Sequence, residues 1–426
     1  MNTPSSFAAF TLLLVLMACG GRGNAGKPKD PLDPLAESYV KLVLAVGRHD
    51  PMYVDAFYGP EAWKKEADAG PPVPLADLLA RTRALLQQVH GAGGPAERSR
   101  FLEKQLVAME AHLRRLSGEK LSLTEECRTI FDAVPARHGV AEFEAAHRKL
   151  ETLVPGTGPL GDRIEAIRRA VYIPKDKIEI ALGKALDAAR SANAPFVQLP
   201  QGEDFHAVVV TGKPWGAYNW YLGGYKSRIE LNTDLPVQLN SLLGTMCHEG
   251  YPGHHVYNVL HEKALVRDRG WVEHTVYPLY SPESVLAEGT ANVGIDIVFT
   301  DDERRRVLTE VLAPAVGIPA EAMLEADRIH EAMEPLKYVN GEAAFMLLDE
   351  GKSEDEVAAF SRRWNLTTEA RARKSIEFAK AYRSYVFNYS LGEDLVRAWI
   401  GDGPDRREKF YGLLNRPVVP SELVRP

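Results

Sequence analysis

The pattern of apolar residues divides the chain into a long helical part and a short part of different character. From Pro34 to about residue 193, apolar residues recur three and four positions apart, and the runs stop at Gly or Pro. That period is typical of α-helices with one buried face. We predict helices at 35–47, 75–90, 96–116, 124–134, 140–153 and 160–189, the last interrupted near Pro174.

After Phe205 the pattern changes to short runs of β-branched and aromatic residues, which predict strands. We expect strands at 206–211, 217–222 and 228–232, and we expect them to form a small antiparallel sheet. Helical spacing then returns and continues almost to the end of the chain. Further helices are predicted at 236–260, 282–299, 303–316, 320–331, 336–350, 353–364, 368–389 and 393–400.

These elements predict a fold that is mainly α with a small antiparallel β-sheet, an α+β fold. With 45% hydrophobic residues, the chain has enough apolar material for a large core and more than one lobe. We predict a helical N-terminal lobe at 35–200 and a second region at 201–426 that includes the sheet.

The first residues predict export and a lipid anchor. A short apolar run ends in Leu-Met-Ala directly before Cys19, the pattern at which bacterial lipoproteins are cleaved and lipidated. We therefore predict a signal peptide at 1–18, a lipid on Cys19 that attaches the protein to a membrane, and a flexible tether at 19–34. The expected location is the cell envelope. Gly20, which is not an acidic retention signal, favours the outer membrane or the periplasmic face.

Charge and cysteine content argue against two classes of protein, nucleic-acid-binding proteins and disulfide-rich scaffolds. The formal net charge is −7 and the isoelectric point is near 6.0, so no broad basic face is expected and nucleic-acid binding has no electrostatic support. Besides Cys19, only Cys127 and Cys247 remain. They could pair in an oxidising compartment, but two cysteines do not make a disulfide-rich scaffold. We expect no transmembrane helix after the leader.

The residues at 248–255 read His-Glu-Gly-Tyr-Pro-Gly-His-His. Zinc hydrolases place two imidazole ligands and a general base on one helix in the spacing His-Glu-x-x-His. Here the position of the second ligand, 252, is Pro. In a regular helix His254 would lie roughly 120° around the axis from His248, and His255 would lie roughly 10 Å further along it.

One zinc ion can therefore bind two of these histidines only if the helix is distorted. Pro252 lacks an N–H and its ring clashes with the carbonyl of residue 248, while Gly253 accepts unusual dihedral angles. If these two residues are looped out as a bulge, His254 takes the phase of the missing position. We predict His248 and His254 as ligands. His255 is the alternative second ligand, or a residue that hydrogen-bonds to a ligand.

A third ligand is predicted on the next helix, where Glu288 stands among small residues that would allow close packing. Three protein ligands with water in the fourth position are typical of a catalytic zinc site. We expect one zinc ion per chain at His248, His254 and Glu288, with Glu249 as the general base.

The oxyanion formed during hydrolysis needs a further hydrogen-bond donor. The C-terminal helices offer four candidates, which the sequence alone does not rank: Tyr338, Arg383, Tyr385 and Tyr389. We assign Tyr389 the catalytic role and expect the other three to bind substrate.

These motifs resemble the bacterial lipoproteins and secreted proteins of domain of unknown function 885, which are grouped by similarity with gluzincin-type zinc metallopeptidases. The resemblance rests on 248–255 and on Glu-Gly-Thr-Ala at 288–291, with support from 53–60 and 383–389. It spans nearly all of the mature chain. It implies a mostly helical, zincin-like peptidase fold, with N-terminal and C-terminal helical lobes around a central cleft.

The leading hypothesis is an envelope-anchored zinc-dependent peptidase. In zincin-like folds a small sheet covers the helix that bears the metal ligands. The edge strand of that sheet can pair with an extended peptide, which is the expected substrate, or the sheet only covers the core. The alternative is a lipoprotein without catalytic activity that uses the same fold to bind a partner or a structural ion.

Overall fold

The computed structural model describes residues 30–424 and confirms a mainly helical fold with small sheets. Two helices before residue 200 match the predicted bounds, and a Pro or Gly residue precedes the first turn of each. One short helix, α2, was not predicted because it buries none of its side chains and so has no apolar period. The helices of this region are α1 (Asp33–Val46), α2 (Glu61–Asp68), α3 (Leu75–Ala92), α4 (Ala96–Leu116), α5 (Leu123–Ile130), α6 (Val140–Leu153), α7 (Leu160–Ala170) and α8 (Ile178–Asn193).

The three predicted strands form one sheet, but its topology differs from the prediction. The strands are β2 (Asp204–Val210), β3 (Ala217–Gly223) and β4 (Lys226–Asn232), and their order in the sheet is β2-β4-β3. β3 and β4 pair antiparallel as predicted, whereas β2 and β4 pair parallel. The sheet is therefore mixed, and the prediction of a purely antiparallel sheet was wrong.

Side chains at the end of β4 explain this topology. The Nδ2 of Asn232 donates to the carbonyl oxygens of Lys213 and Trp215 at 3.0 and 2.7 Å. The carboxylate of Asp234 accepts from the backbone N–H groups of Gly212 and Lys213. These bonds hold the connection between β2 and β3 against the end of β4. They thereby stabilise the arrangement in which β4, rather than β3, lies beside β2.

A second, two-stranded sheet joins distant parts of the chain and was not predicted. β1 (Val54–Phe57) pairs antiparallel with β5 (Val276–Pro278). Such short strands carry too few residues to show an alternating pattern. The pairing brings the segment after α1 against the residues that precede the helix Pro282–Val298.

After the sheet, the sequence predicted a single helix at 236–260, but the structure has two helices there. These two helices, α9 and α10, are separated by residues 250–253. Near the C-terminus, the helix predicted at 368–389 ends earlier, at residue 382. Arg383 has a positive φ of 51°, and residues 383–387 form a 3-10 turn before the last long helix. The helices are α9 (Leu239–Glu249), α10 (His254–His261), α11 (Pro282–Val298), α12 (Asp301–Arg306), α13 (Ala313–Val316), α14 (Ala320–Ala332), α15 (Val339–Leu348), α16 (Glu354–Trp364), α17 (Glu369–Tyr382), α18 (Asn388–Ile400) and α19 (Arg406–Leu413).

Helices α11 and α18 approach each other closely through two glycines. A Cβ atom on Gly289 would lie 2.3 Å from the carbonyl oxygen of Gly392, and one on Gly392 would lie 2.2 Å from the carbonyl oxygen of Val285. Side chains at these positions are therefore excluded. The close approach places the start of α18 beside the face of α11 that carries Glu288.

From Pro31 onward the chain forms one compact unit. The division at residue 200 stays a prediction, and two clusters of buried apolar residues draw members from both sides of it. Cys127 and Cys247 are both buried and free. None of the helices between residues 30 and 424 has the length and apolar character needed to cross a membrane. The predicted signal peptide, Cys19 and nearly all of the tether lie outside the described residues.

Candidate metal centre

The break between α9 and α10 is a bulge of two residues. In a regular helix the N–H of residue 251 would bond the carbonyl of Cys247. Here the N–H of Gly253 does so, at 2.9 Å, and the N–H of Tyr257 resumes normal spacing by donating to the carbonyl of Gly253. His254 therefore takes the helical phase that residue 252 would have had. The distortion predicted from Pro252 and Gly253 is confirmed.

Only glycine fits at position 253. A Cβ atom there would lie 1.8 Å from the carbonyl oxygen of His248 and 2.5 Å from that of Cys247. We expect Gly253→Ala to lower the free energy of unfolding by about 3 kcal/mol or more and to weaken metal binding, because the backbone must move to relieve the clash. Chemical denaturation and metal titration measure both effects.

A matched control for this substitution is Gly183→Ala in α8. A Cβ atom on Gly183 would meet no atom within 4 Å. That variant is expected to be unchanged or to gain up to about 1 kcal/mol, because Ala favours a helix over Gly. Equal stability of the two variants would show that the bulge does not depend on glycine.

Three side chains converge where the bulge faces α11. The Nε2 atoms of His248 and His254 are 3.1 Å apart. The carboxylate oxygens of Glu288 lie 3.3 Å from His248 Nε2 and 3.7 Å from His254 Nε2. With Zn–N and Zn–O bonds of about 2.0–2.2 Å, ligands of a tetrahedral zinc ion are about 3.3–3.6 Å apart. The geometry of the three groups therefore fits one small divalent cation.

Asn292 fixes the orientation of the His248 ring. The Nδ2 of Asn292 donates to the carbonyl oxygen of Tyr389 at 3.0 Å, which leaves its Oδ1 to accept from His248 Nδ1 at 2.9 Å. The proton of a neutral His248 is thereby placed on Nδ1, and the lone pair on Nε2 points into the site. Polar partners of this kind commonly set the tautomer of metal-binding histidines.

Glu288 is held on one side only. The hydroxyl of Tyr385 donates to Oε1 at 2.6 Å, while the buried Oε2 has no hydrogen-bond partner among the described residues. A buried carboxylate oxygen without a partner costs free energy unless a cation compensates it. This unpaired oxygen, beside two imidazole nitrogens, is the donor set that a divalent cation would complete.

The electrostatics of the three groups also favour a cation. Burial lowers the pKa of His254 to about 4, so its ring is neutral near pH 7. Burial disfavours charge on His248 as well, but the nearby carboxylate of Glu288 and the charge of Glu249 raise its pKa to about 9. Positive charge is thus favoured at the centre of the group.

Two further carboxylic acids face the same space. Burial raises the pKa of Glu249 to about 7. The positive charge of His248 lowers this pKa, whereas the negative charges of Glu288 and Asp55 raise it. Burial likewise raises the pKa of Asp55 to about 7, although the hydroxyl of Tyr218 donates to it. A carboxylate with a pKa near neutrality can both accept and return a proton.

The site opens into a cleft of about 590 Å³. One wall is β3, an outer strand of the mixed sheet, whose Asn219 donates from Nδ2 to the carbonyl oxygen of Glu249 at 2.7 Å. The other walls come from the helices, from β1 and β5 and from the connections next to the strands. The cleft is lined by Asp55, Trp215, Ala217, Tyr218, Asn219, His248, Glu249, His254, Asn258, Tyr277, Leu279, Ala287, Glu288, Phe378, Tyr382, Tyr385 and Tyr389.

His255, the alternative second ligand, points to the sheet. Its Nε2 donates to Glu203 Oε1 at 2.7 Å, and its Nδ1 lies 2.8 Å from the hydroxyl of Ser227. Glu203 also accepts from the hydroxyl of Tyr251. Both ring nitrogens of His255 are thereby engaged, so this side chain ties α10 to the sheet.

The interactions of Glu203 give a testable dependence of stability on pH. Burial opposes its charge, but the hydrogen bonds from His255 and Tyr251 lower its pKa to about 2. Charged Glu203 therefore stabilises the fold above the pKa of an unfolded Glu, about 4.3, and this contribution is lost as the pH falls towards 2. We expect Glu203→Gln to cost about 2 kcal/mol at pH 7 and progressively less below about pH 4.5, measured by urea unfolding.

Glu61→Gln serves as the control for this pH series, because the side chain of Glu61 is 80% exposed and its ion pair with Lys65 lies on the surface. It is expected to leave stability unchanged across the same range. A loss in Glu203→Gln that does not vary with pH would contradict the role assigned to its charge.

The structure brings two of the four predicted oxyanion or substrate residues to the cleft. Tyr385 lines it and bonds Glu288, and Tyr389 lines it with its ring stacked 6.3 Å from that of His248. Tyr338 instead lies in a separate pocket, where its hydroxyl donates to Asp394. The guanidinium of Arg383 is bound by the buried carboxylate of Glu126.

The structure places Tyr338 and Arg383 outside the residues that line the cleft, and their role in binding substrate stays a prediction. That prediction rested on the chemistry of the phenol and guanidinium groups and on their place in the C-terminal helices. The positive φ of Arg383 breaks the helix predicted at 368–389 and changes which side chains face the site. Tyr338 ends the 3-10 turn before α15 and stacks on His138, away from α11.

Two residues at the site received no role from the sequence. Asn292 stands four positions after Glu288, a spacing that places both on one face of α11, so this signal was present in the sequence. Asp55 reaches the cleft only through the pairing of β1 with β5. That pairing left no local pattern, and the segment 53–60 stood out only through the family resemblance.

Comparisons with models of protein families and with curated proteins found no match. Among solved structures, a chain from Colwellia psychrerythraea provisionally described as a lipoprotein is similar at 13% identity and a TM-score of 0.49, covering 92% of this chain and 74% of that one. A lipoprotein of unknown function, also provisionally described, from Shewanella oneidensis is similar at 11% identity and a TM-score of 0.44, covering 82% and 71%. A carboxypeptidase from Deinococcus radiodurans is similar at 11% identity and a TM-score of 0.35, covering 92% and 93%. At TM-scores below 0.5 these similarities assign no function to this chain.

Proposed function

We propose that this protein is a zinc-dependent peptidase. The observation that carries the proposal is the convergence of His248, His254 and Glu288, with ligand atoms 3.1 to 3.7 Å apart, beside Glu249 in an open cleft. Two imidazoles and one carboxylate, with an open side, are the ligand set of many catalytic zinc ions. A structural zinc site would instead be enclosed on all sides.

Each residue of the site has a defined task in this proposal. A zinc ion held by His248, His254 and Glu288 would supply Lewis acidity to activate water and polarise the substrate carbonyl. Glu249 accepts the proton from the attacking water and passes it to the leaving amine, which suits a carboxylic acid with a pKa near 7. Tyr385 holds Glu288 in place.

Tyr389 is the proposed oxyanion donor. Its side chain lines the cleft beside the His248 ring, and its own carbonyl oxygen is bound by Asn292. The helix position of Tyr389 is therefore tied to the residue that orients a metal ligand. A phenol hydroxyl in a buried site stabilises developing negative charge.

The proposed substrate is an extended peptide. β3 is an outer strand, and its residues Ala217, Tyr218 and Asn219 line the cleft next to Glu249. An extended chain can add to an outer strand through backbone hydrogen bonds. Its scissile bond would then lie over His248 and His254.

Membership of the family of domain of unknown function 885 and attachment to the cell envelope through Cys19 are further proposals. The first is supported by the motifs at 248–255 and 288–291, and the second by the apolar run that ends before Cys19. Globomycin-sensitive maturation and labelling with a radioactive fatty acid would test the second, and Cys19→Ala is expected to release the protein from membranes.

Metal removal and restoration test the proposed activity. We expect purified protein to contain zinc and to cleave members of a fluorogenic peptide library. Treatment with a chelator is expected to reduce cleavage at least about 100-fold, and added zinc is expected to restore it. Magnesium is the control, since it prefers oxygen ligands and should not restore activity. Cleavage that continues in metal-free protein would contradict the proposal.

A further inference from the structure

A second group of metal-binding side chains lies outside the cleft. His261 is the last residue of α10, His274 lies in the 3-10 turn Val272–Thr275, and Glu283 lies in the first turn of α11. One ligand atom from each lies within 4.8 Å of the other two. His261 Nδ1 lies 3.4 Å from Glu283 Oε1.

Burial without hydrogen bonds distinguishes the two histidines of this group from ordinary core residues. The exposed fractions of His261, His274 and Glu283 are 5%, 6% and 6%. None of the four ring nitrogens of the two histidines has a hydrogen-bond partner among the described residues. Buried polar atoms normally have partners, since leaving them unpaired costs free energy. A cation bound to one nitrogen of each ring and to Glu283 would supply a partner for all three side chains.

The charges around the group leave Glu283 able to balance a cation. Two guanidinium groups act on His274, those of Arg98 and Arg269. Arg98 is bound by both oxygens of Glu273 at 2.6 and 2.9 Å and by Asp33 at 2.7 Å, and Arg269 is paired with Glu97. These carboxylates compensate the charges of both guanidinium groups. Two imidazoles and one carboxylate are a donor set that suits zinc and similar transition-metal cations.

Aromatic rings enclose this second group, whereas the site at His248, His254 and Glu288 opens into the cleft. The ring of Tyr257 is 4.0 Å from that of His261, and the ring of Phe101 is 4.3 Å from that of His274. The hydroxyl of Tyr257 reaches Glu283 Oε1 at 3.4 Å. An enclosed set of ligands is typical of a structural rather than a catalytic metal.

The two groups are too far apart to share one reaction. His254 and His261 are seven residues apart on α10, which corresponds to about 10 Å along a helix. Paired catalytic metals are about 3.5–4 Å apart. Both groups nevertheless join α10 to α11, since Glu283 and Glu288 lie on the same helix.

We propose that His261, His274 and Glu283 bind a second transition-metal cation, with zinc as the best match. This cation ties the end of α10 and the turn before β5 to the first turn of α11. It thereby holds the two helices that carry His254 and Glu288, as a positioning site rather than a catalytic one.

Metal content of variants tests this proposal without measuring activity. The double variant His248→Ala/His254→Ala removes two side chains of the cleft site. After metal removal, incubation with zinc and desalting, it is expected to retain about one zinc per chain. Adding His274→Ala or Glu283→Gln to this background is expected to remove that zinc, whereas adding His147→Ala, a histidine bound to the carbonyl of Trp364, is expected to have no effect.

Each outcome of these measurements decides the proposal. Loss of all zinc in the double variant overturns it, and so does zinc that persists after both His274→Ala and Glu283→Gln. If the His274→Ala protein does not fold, the Glu283→Gln variant, which keeps the shape of the side chain, gives the answer. Wild-type protein whose single zinc is lost on His274→Ala but kept on His254→Ala would support this site while contradicting the proposed peptidase.

Discussion

Replacing Glu249 by Gln is expected to reduce peptide cleavage by about 10²- to 10⁴-fold while zinc content stays unchanged. Gln has nearly the shape of Glu but cannot take a proton from water. The backbone at this position stays fixed, because Asn219 bonds the carbonyl oxygen of residue 249. Steady-state cleavage of the best library peptide and metal analysis of the same sample measure the two effects.

The stability of the Glu249→Gln protein gives an independent check. Burial and the neighbouring charges of Glu288 and Asp55 raise the pKa of Glu249 to about 7, so its ionised form is disfavoured in the fold. This contribution opposes folding increasingly as the pH rises from about 4.3, the unfolded value, through 7. In metal-free protein at pH 8, Glu249→Gln is therefore expected to unfold at the same or a higher denaturant concentration than the wild type.

Glu165→Gln is the control for Glu249→Gln. Glu165 lies on α7 and accepts from the hydroxyl of Tyr172, outside the residues that line the cleft. Its replacement should leave cleavage unchanged. If Glu249→Gln cleaves as fast as wild type while zinc is bound, Glu249 is not the general base and the proposed mechanism fails.

How well the sequence predicts each element depends on the range of the interactions that form it. The spacing of apolar residues was enough for α4 and α6, whose bounds match the prediction. That spacing did not predict α2, which buries no side chain. The positions of β2, β3 and β4 were also predictable, but their order was not, because it depends on which strands pair in the folded chain.

The same distinction holds for the site. The bulge could be predicted because its cause is local: Pro252 cannot donate a hydrogen bond, and Gly253 occupies a place that no Cβ atom can share with the carbonyl of His248. The contribution of Asp55 could not be predicted, since it depends on the pairing of β1 with β5. The place of Arg383 could not be predicted either, because the predicted helix 368–389 breaks at a residue that the apolar pattern does not mark.

The two adjacent histidines offer the sharpest test of the bulge, because the proposal gives them different tasks. His254→Ala is expected to weaken zinc binding by more than about 100-fold, beyond the loss typical when only a partner of a ligand is removed. Cleavage should fall with it. His255→Ala is expected to keep zinc at the cleft site but to lower the free energy of unfolding by about 2–4 kcal/mol, since Glu203 and Ser227 lose their partner in a buried place.

The different effects expected for His254→Ala and His255→Ala follow from the two looped-out residues, Pro252 and Gly253, alone. With the bulge, the N–H of Gly253 bonds the carbonyl of Cys247, so His254 faces α11 and His255 faces the sheet. Without it, a regular helix would put His255 on the same face as His248. Zinc titration and urea unfolding of both variants therefore separate the two arrangements. Loss of the cleft-site zinc in His255→Ala, with the cleft-site zinc kept in His254→Ala, would mean that the helix follows the regular path and that the proposed ligand set is wrong.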